Sequence, residues 1–189
     1  MHVMGGFGLQ MDYTVRMKLR LTDEVDGAIL AEAVAKTQRR YPYLSLRMCR
    51  NEQGFYYEQN SAPVVLLHTD KSINLNSEQT NYHVWAVCYW EDYLYLDIYH
   101  GICDGTGMYM VLTTLLYYYC KERYGVTESE GVRILTDQVL AGESDDPADH
   151  MPKIDPALLK RPARPDAFSL TADAIARSEE RFSRNAETD

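Results

Sequence analysis

One stretch of the chain combines a side chain able to move protons with flexible backbone: His100-Gly101-Ile102-Cys103-Asp104-Gly105-Thr106-Gly107. An imidazole titrates near neutral pH, so His100 is suited to general acid–base work on a bound substrate. Three glycines, Gly101, Gly105 and Gly107, permit a tight turn and leave the main chain open to approach. Asp104 can satisfy free N–H groups at a helix start or hold a cation. From the local pattern alone, an ordinary glycine-rich connection with a helix-capping aspartate accounts for the same letters equally well. His100 and Asp104 could share a metal ion, but no third ligand is near in sequence and His83 is separated by a whole hairpin, so no metal site is expected. Asp104-Gly105-Thr106-Gly107 is not a nucleotide fingerprint, because it lacks the P-loop lysine and the full glycine spacing after a parallel βαβ unit.

Periodicity supplies the elements that would position this run. Tyr13, Val15, Met17, Leu19 and Leu21 alternate with Thr14, Arg16, Lys18 and Arg20, the period of two of a strand with one face on a core. Thr22 is expected to cap a helix from Asp23 to Arg40 with the apolar stripe Val25, Ile29, Leu30, Ala33 and Val34, ended by Tyr41-Pro42. Leu44, Leu46 and Met48 begin a hairpin that turns at 51–54 into Phe55-Tyr56-Tyr57. Residues 64–67 form a short apolar strand, and Tyr82–Tyr89 and Tyr93–Tyr99 form an antiparallel pair. A helix over Thr106–Tyr124 follows, with Met108, Val111, Leu112, Leu115, Leu116 and Tyr119 on its packed face. Ten of the 15 tyrosines fall between Tyr82 and Tyr124, which packing with wet hydroxyls explains more simply than an aromatic ligand cage.

Composition narrows the function. Of the 189 residues 46% are hydrophobic and 25% charged, as in a globular chain that can bury a core. The formal charge of −9 disfavours phosphate-backbone binding, so no nucleic-acid role is expected. Cys49, Cys88, Cys103 and Cys120 form no CxxC pair and read as buried free thiols. With no basic, apolar export signal at the N-terminus, a cytoplasmic location is the simplest. The uncharged run Gly105–Cys120 has 16 residues, against about 20 needed to cross a bilayer, so no membrane span is expected. Five of the seven prolines lie between Pro147 and Pro165, which divides the chain into a compact lobe over 1–125 and a proline-rich linker with a polar segment over 126–189.

His100-Gly101-Ile102-Cys103-Asp104-Gly105 resembles the HxxxDG signature of the chloramphenicol acetyltransferase-like superfamily, which includes condensation domains of peptide synthetases and alcohol acetyltransferases. Arg40 to Arg47, Asn81-Tyr82-His83 and the stretch from Gly105 to Tyr119 resemble the bacterial alcohol acetyltransferase-like branch, and residues 13 to 125 its N-terminal lobe. The resemblance implies an α/β two-layer sandwich, a mixed and largely antiparallel sheet covered by helices. It implies acyl transfer from a thioester, acyl-CoA or an acylated carrier protein as co-substrate, to an alcohol or amine, with no permanently bound cofactor. His100 would be the general base and Asp104 a structural partner of an arginine, for which Arg16 and Arg47 are both candidates; Gly105 would keep the site open. Tyr99 stands where condensation domains usually carry a second histidine, and no DFGWG-like motif occurs. The chain therefore reads as one half of such an enzyme, completed by a second lobe or a homo-oligomer. A non-catalytic binding or interaction module derived from the half enzyme is the alternative.

Overall fold

The computed structural model describes residues 13–143 and Asp145. Contacts divide the chain into two units, 1–144 and 145–189, and all but one of the described residues lie in the first. The expected proline-rich linker over 147–165 and the polar segment after it fall outside the described residues.

Strand β1 (Thr14–Arg20) alternates as its sequence demands. Val15, Met17 and Leu19 lie opposite Ile98, Leu96 and Leu94 of the antiparallel strand β6 (Tyr93–Tyr99), while Arg16, Lys18 and Arg20 take the other side. Strand β5 (Trp85–Trp90) pairs antiparallel with β6 and adds Trp85, Val87 and Tyr89 to the apolar side. Strand β4 (Leu66–His68) closes the edge in parallel with β5, so the sheet order is β1-β6-β5-β4. Strands β2 (Leu46–Asn51) and β3 (Gly54–Gln59) form a separate antiparallel hairpin. Trp85, Val87, Leu94, Leu96 and Ile98 are fully buried, and helices α1 (Gly27–Arg40) and α2 (Gly105–Tyr124) complete that core. The Tyr89 side chain lies hard against Gly27, which fixes α1 on the apolar side and leaves no room for a Cβ at that glycine. The fold is the expected mixed, largely antiparallel sheet with a helix layer.

Two boundaries differ from expectation. Helix α1 starts one turn late, capped not by Thr22 but by Asp26, whose Oδ1 accepts from Ala28 N at 3.0 Å and Ile29 N at 3.1 Å. The reason is tertiary: Leu21 N and Val25 N donate to Asp92 O and Glu91 O, so the β5–β6 turn ties down residues 21–25 in a non-helical path. At the other end, Gly125 in the left-handed region (φ +72°) caps α2. The chain beyond it stays on the same compact unit: Val132 and Ile134 pack on the core, Thr114 Oγ1 donates to Arg133 O at 2.7 Å, and Leu135 N donates to Tyr118 Oη at 2.7 Å. This strap, 126–143, covers a second side of α2, which explains why Thr114, Tyr117 and Tyr118 are buried together with the expected Met108, Val111, Leu112, Leu115 and Tyr119.

The tyrosines act as ties. Tyr119 Oη accepts from Asp26 N at 3.0 Å, Tyr41 Oη donates to Met110 O at 3.0 Å, and Tyr124 Oη donates to Asp23 Oδ2 at 3.0 Å. Tyr41 and Tyr119 bury their rings while their hydroxyls close main-chain valences, and the exposed Tyr124 closes a carboxylate valence at the surface.

Candidate functional site

The His100 turn joins the end of β6 to the start of α2. Tyr99 N donates to Val84 O and His100 N to Tyr13 O, both at 2.9 Å, so the sheet grips the main chain up to the histidine. The His100 side chain is exposed, and among the described residues its ring takes part in no hydrogen bond. Asp104 is the N-cap of α2: its backbone is extended (φ −82°, ψ −179°) and its Oδ1 accepts from Gly107 N at 2.8 Å.

The three glycines serve different ends. The Tyr99 ring lies over Gly101, with its Cζ 2.8 Å from where a Cβ would stand, and Cys103 Sγ lies 2.7 Å from the corresponding point at Gly107. Close packing therefore requires both. A Cβ at Gly105 would meet nothing within 4 Å, so beside the helix start there is open space. The Cys103 thiol is pushed up to about 11 by burial, with the Asp104 carboxylate adding to the effect, and is a protonated packing group rather than a nucleophile. Of the four cysteines, all free, only Cys88 is fully buried; Cys49, Cys103 and Cys120 are half-buried.

Neither expected arginine reaches Asp104. Arg16 pairs with Asp97, Nε to Oδ1 at 2.7 Å and Nη2 to Oδ2 at 2.8 Å, and donates to Asp70 O at 2.7 Å and Lys71 O at 2.8 Å. The cause is register: Arg16 and Asp97 are directly opposite on β1 and β6, on the side of the sheet away from the apolar core layer. Asp97 is 2% exposed, and its neighbour Cys88 has its thiol pushed up to about 12, first by burial and then by that carboxylate. Arg47 pairs with Glu58 on the β2–β3 hairpin, Nε to Oε2 at 2.9 Å. The signal for Asp97 in the sequence is its place as the single acid within the alternating run Leu94-Tyr95-Leu96-Asp97-Ile98.

His83 corrects another expectation. The hairpin that separates it from His100 in sequence returns it to the same end of the sheet, because antiparallel pairing carries Val84 alongside Tyr99. The two histidines nonetheless have unlike surroundings. His83 is fully buried with Nε2 2.7 Å from Ala62 O, its Nδ1 has no partner among the described residues, and burial holds its pKa below the usual histidine value. Among the described residues no three His, Cys, Asp or Glu side chains come together as a metal site.

A second polar centre had no local signal. Arg40 at the end of α1, Tyr43 beyond it and Arg133 on the strap converge on Glu143, 103 residues from Arg40. Among the described residues no helix is long and apolar enough to cross a membrane.

No family model matches the chain, and no curated protein matches it either. Among solved structures the chain is similar to SgcC5 from Streptomyces globisporus, in complex with a naphthyl ethanediol and sucrose, at 19% identity and a TM-score of 0.47 over 62% of this chain and 33% of that one. It is also similar to the first condensation domain of the CDA synthetase, at 18% identity and a TM-score of 0.49 over 62% and 36%. A third is a variant of the starter condensation domain of rhizomide synthetase RzmA in complex with C8-CoA, at 14% identity and a TM-score of 0.49 over 62% and 32%. The chain spans about a third of the length of each of these proteins, and the likeness is one of backbone over part of this chain.

Proposed function

We propose that the 100–107 turn is the working end of an acyltransferase lobe that moves an acyl group from a thioester, acyl-CoA or an acylated carrier protein, to an alcohol or amine. The observation that carries this reading is the placement of His100: its main chain is held by β1 and β6, its imidazole is exposed and unengaged among the described residues, and open space adjoins Gly105. In this reading the imidazole takes the acceptor's O–H or N–H proton as that atom attacks the thioester carbonyl. The tetrahedral adduct then collapses, the C–S bond breaks, and the departing thiolate recovers the proton from the imidazolium. The HxxxDG resemblance of His100 to Gly105 supports this assignment, and the wholly free cysteines agree with work in a reducing cytoplasm. A second lobe or a second copy of the chain would bury the rest of the donor.

The test is thioester loss and ester or amide formation followed by mass spectrometry, with full-length protein, acyl-CoA and a panel of alcohols and amines. His100→Ala should lower turnover by about 10²- to 10⁴-fold with an unchanged melting temperature. Wild-type turnover in a folded His100→Ala protein would refute the assignment.

One observation favours a non-catalytic binding module instead. Asp104 only caps a helix, and both candidate arginines are committed elsewhere, Arg16 to Asp97 and Arg47 to Glu58. Saturable acyl-CoA binding by calorimetry without turnover, unaffected by His100→Ala, would select that reading.

A further inference from the structure

Glu143 ends the strap that follows α2, and its carboxylate is enclosed by more donors than it can accept. Arg40 Nη1 and Nη2 reach its two oxygens at 3.0 Å each, Tyr43 Oη donates at 3.0 Å, Arg133 Nη1 at 3.2 Å, and Leu140 N at 3.2 Å. A carboxylate offers about four lone-pair sites, so these five bonds already oversubscribe it. Arg40 Nε is buried and, among the described residues, has no partner, a further donor with nothing to bind. Charge tells the same story. Arg40 is 2% exposed and Glu143 5%, and a second guanidinium, that of Arg133 at 34% exposure, faces the same carboxylate, so two positive groups of this cluster stand against one negative one.

We propose that Arg40, Tyr43 and Arg133 form a binding site for a phosphate group and that Glu143 is its built-in, displaceable occupant. A phosphate brings up to two negative charges and more acceptor lone pairs than a carboxylate. It therefore matches both guanidiniums and can also take the Arg40 Nε–H, in the planar fork geometry that arginine offers to phosphate. Displacement is open to Glu143 because it sits on the strap rather than on a helix or strand of the core, beside Leu140 at 63% exposure. Arg40 and Tyr43, in contrast, stand at the end of α1 and in the 3-10 turn Pro42–Leu44, fixed by the Tyr41 Oη bond to α2. The site shares no residue with the His100 turn, so it stands or falls apart from acyl transfer.

The test removes the occupant. In Glu143→Ala full-length protein, inorganic phosphate should raise the melting temperature saturably beyond sodium chloride of matched ionic strength, and adding Arg40→Gln should abolish that response. O-phosphoserine in a parallel arm separates a phosphate monoester from the free ion, either of which supports the site. Acetate should restore less than phosphate does, since it repeats what Glu143 supplied. In the wild type, phosphate should speed chymotryptic cleavage after Leu140, an exposed strap residue that is not part of the site, because it competes with Glu143 and loosens that end of the strap. This second measurement decides the matter if Glu143→Ala does not fold. No phosphate response in a folded Glu143→Ala protein, or no phosphate effect on wild-type strap cleavage where that variant is unfolded, would overturn the proposal.

Discussion

Arg16→Ala should be among the most costly single changes on β1, and the reason is the carboxylate it leaves behind. Asp97 is 2% exposed, and without the guanidinium its nearest remaining donor is Cys88 Sγ at 3.7 Å. Stranding a buried charge in this way costs about 3–5 kcal/mol, or roughly 10 °C of melting temperature for a domain of this size. Asp97→Ala should cost less, about 2–3 kcal/mol, because Arg16 is 20% exposed and keeps the carbonyls of Asp70 and Lys71. Asp104→Ala should cost only about 1 kcal/mol, the value of one N-cap bond, and Asp104→Asn close to nothing. Urea unfolding of the single and double variants gives the couplings directly. Arg16 and Asp97 should couple by more than about 1 kcal/mol, and Arg16 and Asp104 by less than about 0.5 kcal/mol. A strong Arg16–Asp104 coupling with none to Asp97 would refute the pairing described above.

Acid should destabilise the fold in two windows. The Arg40 guanidinium, ahead of the other donors, holds the Glu143 carboxyl down to about 2 from an ordinary 4.5. Its folded value is depressed, so its contribution is full above the unfolded value and is lost as pH falls toward about 2, on the order of 3 kcal/mol; Glu143→Gln should flatten this window in a pH series of urea midpoints. Burial depresses His83, so the unfolded state takes up a proton first as pH drops below 6.5 and stability falls there, a slope that His83→Gln should remove. At the turn, Gly101→Ala meets the Tyr99 ring and should cost about 1–3 kcal/mol by thermal unfolding. Gly105→Ala meets nothing and should leave stability unchanged or slightly raised. If the open space there receives substrate, that stable variant should still lose turnover, and full activity would show that the space is not used.

The amino-acid sequence by itself determined what depends on near neighbours. Alternation placed β1 and β6, the apolar stripe placed α1, and the run of glycines after His100 marked a strand-to-helix turn with an aspartate at the helix start. These follow from periodicity and capping chemistry, which operate over a few residues. Tertiary structure decided the partners. Which acid Arg16 serves depends on register across two strands 81 positions apart, and the start of α1 depends on a turn near residue 91 that ties down residues 21–25 outside the helix. The same holds for His83, which pairing of β5 with β6 returns toward His100 but packing buries. Glu143 is the extreme case: one acid among several in a polar stretch, it acquires its environment from residues about a hundred positions away, and pairings of that kind exist only once the chain has closed on itself.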